Sequence, residues 1–380
     1  METSNKINKK NAFSAMDSMA LKGVAIIIMM FHHCFLNPER YEGYTVDFSP
    51  LGETFVGEIS YIFKICVSLF AFVSGYGLYS SAKNKCNDMK TTEQWVISRL
   101  IKTLSGFWVV YVLIFAFAQI YASFPQETYC IKGNASGIVF AVIDFLGLAN
   151  LLGTPTLVST WWYMSAAIIF IVLVPIIIKF MNKFGVVALL VSVFAIPRLL
   201  GGGYPGGTTP TSFVIALVLG VVFARYDLFA KLDNIKLTKF SFLNEIISIV
   251  VMIVLLVASF YMYLRLALNS LWEYHYGLCA IIFIQFCRVC IIRIPVIKQI
   301  LIFLGKHSMN VFLIHTFIRY TFFKPFTYSF EHFLLIVVVL LAISTGLSFV
   351  IVEPLKKLIK YDKLINKFTD KVTSLIVDKS

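Results

Sequence analysis

The chain has 380 residues, 59% of them hydrophobic and only 14% charged, with a formal net charge of +13. Soluble domains hold about 45–50% apolar residues, so this composition excludes a soluble globular fold and points to an integral membrane protein. The positive balance does not indicate nucleic-acid binding, because the cations are spread over short loops and a tail in the pattern of membrane orientation signals.

Apolar runs long enough to cross a hydrocarbon core of about 30 Å recur along the chain. Ten are expected as spans: residues 16–36, 59–81, 95–122, 159–180, 185–200, 211–226, 243–264, 274–292, 299–318 and 332–353. The run 137–152 is short, carries Asp144 and two glycines, and reads as an interfacial or re-entrant segment. With ten spans both termini share one side, and most of the 33 Lys and Arg fall there, including seven tail lysines. Arg40, Lys132, Arg198, Arg265, Arg319 and Lys324 fall in the opposite, outer loops. The expectation is an all-α polytopic bundle of one domain over 1–380, core 14–358, a basic tail at 359–380, and both termini cytoplasmic. Such a chain is a multi-pass protein of the cell membrane with lipid as its surroundings.

The first run, LKGVAIIIMMFHH, sets Lys22 and His33 eleven residues apart. Eleven steps of 100° fall about 20° past three full turns, so both side chains share one helix face roughly 16 Å apart. Ionisable residues at that depth mark a functional site. His32 points about 100° away from His33, so at most one of the two is expected to face that site. Lys64, in the second run, is costly in lipid and should face the bundle interior or a polar cavity. Arg99 and Lys102 share a face at the start of the third run.

Trp161 and Trp162 stand at an outer boundary, the place of an aromatic belt, and a Trp there can also stack on a sugar. Cys130 alone lies in an outer loop, with Cys34 near that face, so no disulfide framework is expected. Cys287 and Cys290 form a lone CxxC inside a membrane run, which reads as packing, and no metal site is expected. The GGGYPGG stretch at 201–207 is an irregular outer loop. Ser308 and His315, seven residues apart in the ninth run, fall within about 20° on one face. Glu353 precedes Pro354 at the inner end of the last run. No Walker A, dinucleotide or serine-elbow motif occurs, and no halves repeat as in many secondary transporters or flippases.

Taken in order, these pieces resemble the acyltransferase 3 family. Lys22-Gly23 with His33 is similar to its opening motif, in which a basic residue precedes the proposed catalytic His. FAFVSGYGL at 70–78 resembles its FxxSG signature, which holds Ser74. SRLIKT at 98–103 takes the place of its RxxR pair, with Lys102 where the second Arg stands. WWYMSAAIIFIVLVPII at 161–177, LGKHSMNVFLIH at 304–315 and VEP at 352–354 resemble three later segments. The resemblance implies transfer of an acyl group, usually acetyl, from cytoplasmic acyl-CoA to a hydroxyl of an outer glycan or other envelope acceptor. Acyl-CoA is then a substrate, and no bound cofactor is expected.

The residues fit that chemistry. A neutral His suits removal of a hydroxyl proton, so His33 is the expected base with Lys22 on its face. Arg99, Lys102 and Ser74 are expected at the donor. Arg and Lys suit phosphates, Arg as a bidentate partner and Lys as a point charge. His315, Ser308, Lys64, Trp161 and Glu353 are expected to serve the acceptor or support the site. The Trp272-Glu273-Tyr274-His275 stretch is expected near the same outer mouth.

Overall fold

The computed structural model describes residues 13–122, 124–129, 136–200, 208–209, 211–236, 238–265 and 272–377. Among them all regular structure is helical, as a chain in lipid requires to satisfy its backbone internally. The longer helices are α1 (Ala15–Phe35), α2 (Glu53–Ile62), α3 (Ile65–Ala82), α4 (Met89–Ala122), α5 (Ser136–Phe145) and α6 (Trp162–Phe194). They continue with α7 (Val214–Tyr226), α8 (Ser241–Arg265), α9 (Trp272–Phe286), α10 (Pro295–Thr316), α11 (Phe333–Leu347) and α12 (Tyr361–Val377). Among the described residues seven stretches are long and apolar enough to cross a bilayer, and the chain is a multi-pass membrane protein.

The expected runs 211–226 and 274–292 form shorter helices, and 185–200 does not stand as a separate long span. Gly185 breaks α6 where that run was expected to begin, with φ 84°, a left-handed conformation that glycine adopts without penalty. The second run is interrupted at Phe63 and Lys64, which separate α2 from α3. Segment 137–152 gives α5 and one further turn, Ala149–Leu152. Buried Asp144 ties it down by accepting from Tyr129 Oη at 2.8 Å, Thr156 Oγ1 at 3.0 Å and the Leu157 amide at 2.8 Å.

Ser14 begins α1 with a reciprocal cap: its hydroxyl accepts from the Asp17 amide, and its own amide donates to the Asp17 carboxylate. Two close crossings organise the centre. α1 lies against α10, and α3 against α7. A Cβ on Gly23 would overlap the Leu301 carbonyl oxygen, and one on Gly305 would overlap that of Met19. Gly75 and Gly220 stand in the same relation to Leu217 and Phe72. Without side chains at these points the backbones approach closely, which compensates for the weak hydrophobic drive between helices in lipid.

The loop after α1 is pinned to the start of α11. The Asp47 amide donates to Glu331 O at 3.0 Å, and the Phe333 amide to Asp47 O at 3.1 Å. The tail is helical, and α12 packs on α4 with Tyr361 Oη and Ser105 Oγ 2.6 Å apart. Cys130, Lys132 and GGGYPGG lie outside the described residues, as do the side chains of Arg265, Trp272 and Glu273.

Candidate functional site

The crossing of α1 with α10, flanked by α3, α4 and α6, leaves a cavity of about 270 Å³. Lys22 and His33 both line it, as the spacing on one helix face requires. Lys64 and Ser74 enter it from α3 and its start, Ser308 and Met309 from α10, Thr103 from α4, and Trp162 and Tyr163 from α6. Five of the ten residues singled out in the sequence therefore meet at one cavity. The break at Phe63 and Lys64 puts Lys64 on this wall instead of in lipid.

His32 lines the same cavity as His33, contrary to the expectation that at most one of them faces it. On α2, the Ser60 carbonyl oxygen sits 2.7 Å from His32 Nδ1. A carbonyl only accepts, so His32 donates from Nδ1 and keeps its lone pair on Nε2. His33 has the opposite arrangement. Arg40 Nη1 donates to the His33 carbonyl oxygen at 2.8 Å and faces His33 Nδ1 at 3.4 Å. A guanidinium only donates, so Nδ1 of His33 holds the lone pair.

His315 is fully buried, and its ring stands 4.9 Å from that of His33. Its Nδ1 donates to Phe312 O at 2.7 Å, and Thr316 Oγ1 donates to its Nε2 at 3.0 Å. It packs behind His33 and does not line the cavity. The other four expected residues also lie off the cavity wall. Arg99 is half-buried with its guanidinium over Trp95, and Lys102 is exposed, while their neighbour Thr103 reaches the cavity.

Trp161 occupies neither an aromatic belt nor an open sugar platform. It is 2% exposed, and its indole N–H donates to Leu313 O at 3.0 Å. Trp162 is also buried, in the cavity wall. The helical turn Ser159–Trp161 that starts α6 packs against α10, which draws both rings inward. Glu353 belongs to a separate network off the cavity. It accepts from Asn310 Nδ2 at 2.9 Å and Lys356 Nζ at 3.0 Å, and Asn310 also donates to Ser348 Oγ at 2.8 Å. Tyr274 packs on Phe194, away from the cavity.

Two cations near His33 were assigned to outer loops in the sequence. Arg40 does lie in the loop after α1, folded back onto the end of that helix, whereas Arg319 is 4% exposed because the helix continues past Thr316 as a π-helical turn, Phe317–Phe322. The available signal was the four-residue spacing from His315 to Arg319, which places both on one face of a continuing helix. Thr103 and Tyr163 carried no such signal.

The profile of the acyltransferase 3 family, described as an acyltransferase domain, matches residues 16–353. The chain belongs to this family. The match runs from α1 to Glu353 and so takes in every residue of the cavity wall. No curated protein and no solved structure matches the chain. As a member of the acyltransferase 3 family it is a membrane acyltransferase, and the family signatures fall on specific structural work. Gly23, Gly75 and Gly305 make the close crossings, and the residues beside them, Lys22 and Ser74, line the cavity.

Proposed function

We propose that this acyltransferase moves an acyl group, acetyl being the simplest, from cytoplasmic acyl-CoA to a hydroxyl of an extracytoplasmic glycan or related envelope acceptor. It acts in the cell membrane with both termini cytoplasmic. The ten runs expected from the sequence put both termini on one side, and the cation distribution supports a cytoplasmic side for them. The observation that carries the reading is that Lys22 and His33, roughly 16 Å apart along α1, line one cavity.

The donor thioester enters from the Lys22 end, where Arg99 and Lys102 at the rim attract the phosphates of CoA and Ser74 meets the acyl arm. The acceptor hydroxyl arrives at the His33 end. Its oxygen bonds to the acyl carbonyl carbon as His33 takes its proton, the carbon–sulfur bond breaks, and the proton passes to the departing thiolate. Nδ1 of His33 carries the lone pair for this step and becomes available when Arg40 turns away. His315 and Lys64 support the outer end.

Labelled acetyl-CoA given to the cytoplasmic face of oriented vesicles tests the reading. Label should appear as a base-labile ester on material at the opposite face. Label carried across without ester formation, or no transfer with any hydroxyl acceptor, would reject it in favour of a transporter or a non-catalytic module.

A further inference from the structure

Arg319 is the least explained charge in the molecule. It is 4% exposed, and its Nε and Nη1 have no hydrogen-bond partner. Among the described residues no carboxylate pairs with it or with Arg40. The groups near enough to interact electrostatically with Arg319 are Arg40, His32, His33, His315, Cys34 and Tyr328; Tyr328 also shares a hydrogen bond with it, and none of them is a carboxylate. A buried guanidinium kept only for packing normally spends its donors on carbonyls or carboxylates. Arg40 does so, donating to His33 O and to Asn37 Oδ1 at 3.0 Å. A buried guanidinium beside a half-buried one with no carboxylate between them is costly, and an anion that enters between them removes the cost.

We propose that Arg319 and Arg40 form an oxyanion subsite for the acceptor, which carries a phosphate or a carboxylate beside the hydroxyl that is acylated. This rests on the reading of His33 as the outer, acceptor end of the cavity. The phosphates of the donor belong at Lys22, roughly 16 Å away along α1, so they are not the ligand of this pair. A guanidinium fork fits either oxyanion in bidentate fashion. Engagement of Arg40 by that anion also withdraws it from His33 Nδ1, which links acceptor binding to exposure of the base.

The test uses the full chain purified in detergent, and it has two arms. In the first, thermal unfolding is followed with inorganic phosphate or acetate against chloride at constant ionic strength. Phosphate or acetate should raise the midpoint of the parent on the order of a few degrees, and neither should move Arg319→Met. Arg319→Met without added anion should unfold no lower than the parent, because it removes an uncompensated buried charge. An equal anion response in both proteins would overturn the subsite, as would marked destabilisation of Arg319→Met together with no anion response in the parent.

In the second arm, acyl transfer from acetyl-CoA is compared for glucose, glucose 6-phosphate and glucuronate. The parent should favour one of the charged sugars by at least about tenfold in kcat/KM, the choice separating phosphate from carboxylate. Arg319→Lys should lower that ratio and Arg319→Met should lower it further. Equal kcat/KM for all three sugars in the parent would overturn the proposal. If no sugar is acylated, the anion response of the first arm alone decides the subsite, while the absence of transfer counts against the acyltransferase chemistry.

Discussion

His32, His33 and His315 each have a different set of partners, and those partners define what each can do. His32 donates to Ser60 and His315 to Phe312, so both are held in one tautomer, whereas His33 meets only the donors of Arg40. His33→Ala should lower acyl transfer by about 100- to 10,000-fold at equal membrane abundance, the loss typical of a general base. Activity equal to the parent would remove His33 from the chemistry. Arg99→Ala should raise the KM for acyl-CoA more than that for the acceptor, since a phosphate contact at the rim serves donor capture. A donor KM equal to the parent's would leave Arg99 with its Trp95 contact and lipid anchoring alone. Glu353→Ala should act through stability, because it strips the acceptor from Asn310 and Lys356. The expected cost is about 1–3 kcal/mol in thermal unfolding with both KM values near those of the parent. A raised acceptor KM without loss of stability would restore Glu353 to the acceptor site.

At the scale of elements, the two glycine crossings set where the cavity walls stand. Gly305→Ala forces α10 away from Met19 on α1, and Gly23→Ala forces α1 away from Leu301. Either should destabilise by about 1–3 kcal/mol, the range for overpacked interiors, and reduce activity through displaced walls. Gly77→Ala is the control, since nothing lies within 4 Å of the Cβ it would add. Equal unfolding midpoints for all three variants would refute the close-crossing account. Much at this scale was legible beforehand: apolar runs located the helices, and the spacing of Lys22 and His33 gave a shared face. The break at Lys64 was not legible, because a hydropathy pattern continues unbroken through a turn whose backbone is satisfied inside the bundle, whereas the break at Gly185 falls where the runs 159–180 and 185–200 were separated. The π-helical turn after Thr316 was hidden for the same reason, and it is what carries Arg319 inward.

For the whole molecule, the cation distribution predicts which loops meet the cytoplasm. Asn84→Cys, in the exposed turn after α3, should react with a membrane-impermeant maleimide only in inside-out vesicles. Glu42→Cys, in the exposed loop after α1, should react only in right-side-out vesicles. The reverse pattern would invert the proposed orientation and place His33 at the donor face. The sequence by itself determined the class of molecule and the family. Composition in lipid permits few architectures, because each backbone donor and acceptor must be paired within the chain. It also determined the alignment of Lys22 with His33, because residues on one helix are related by a fixed rotation. Tertiary structure alone decided that Trp161 is sealed against Leu313, that His32 shares the cavity, and that Arg40 and Arg319 converge on His33. Those relations join residues of different helices or depend on where a helix ends, and periodicity within one helix does not encode how it crosses its neighbours.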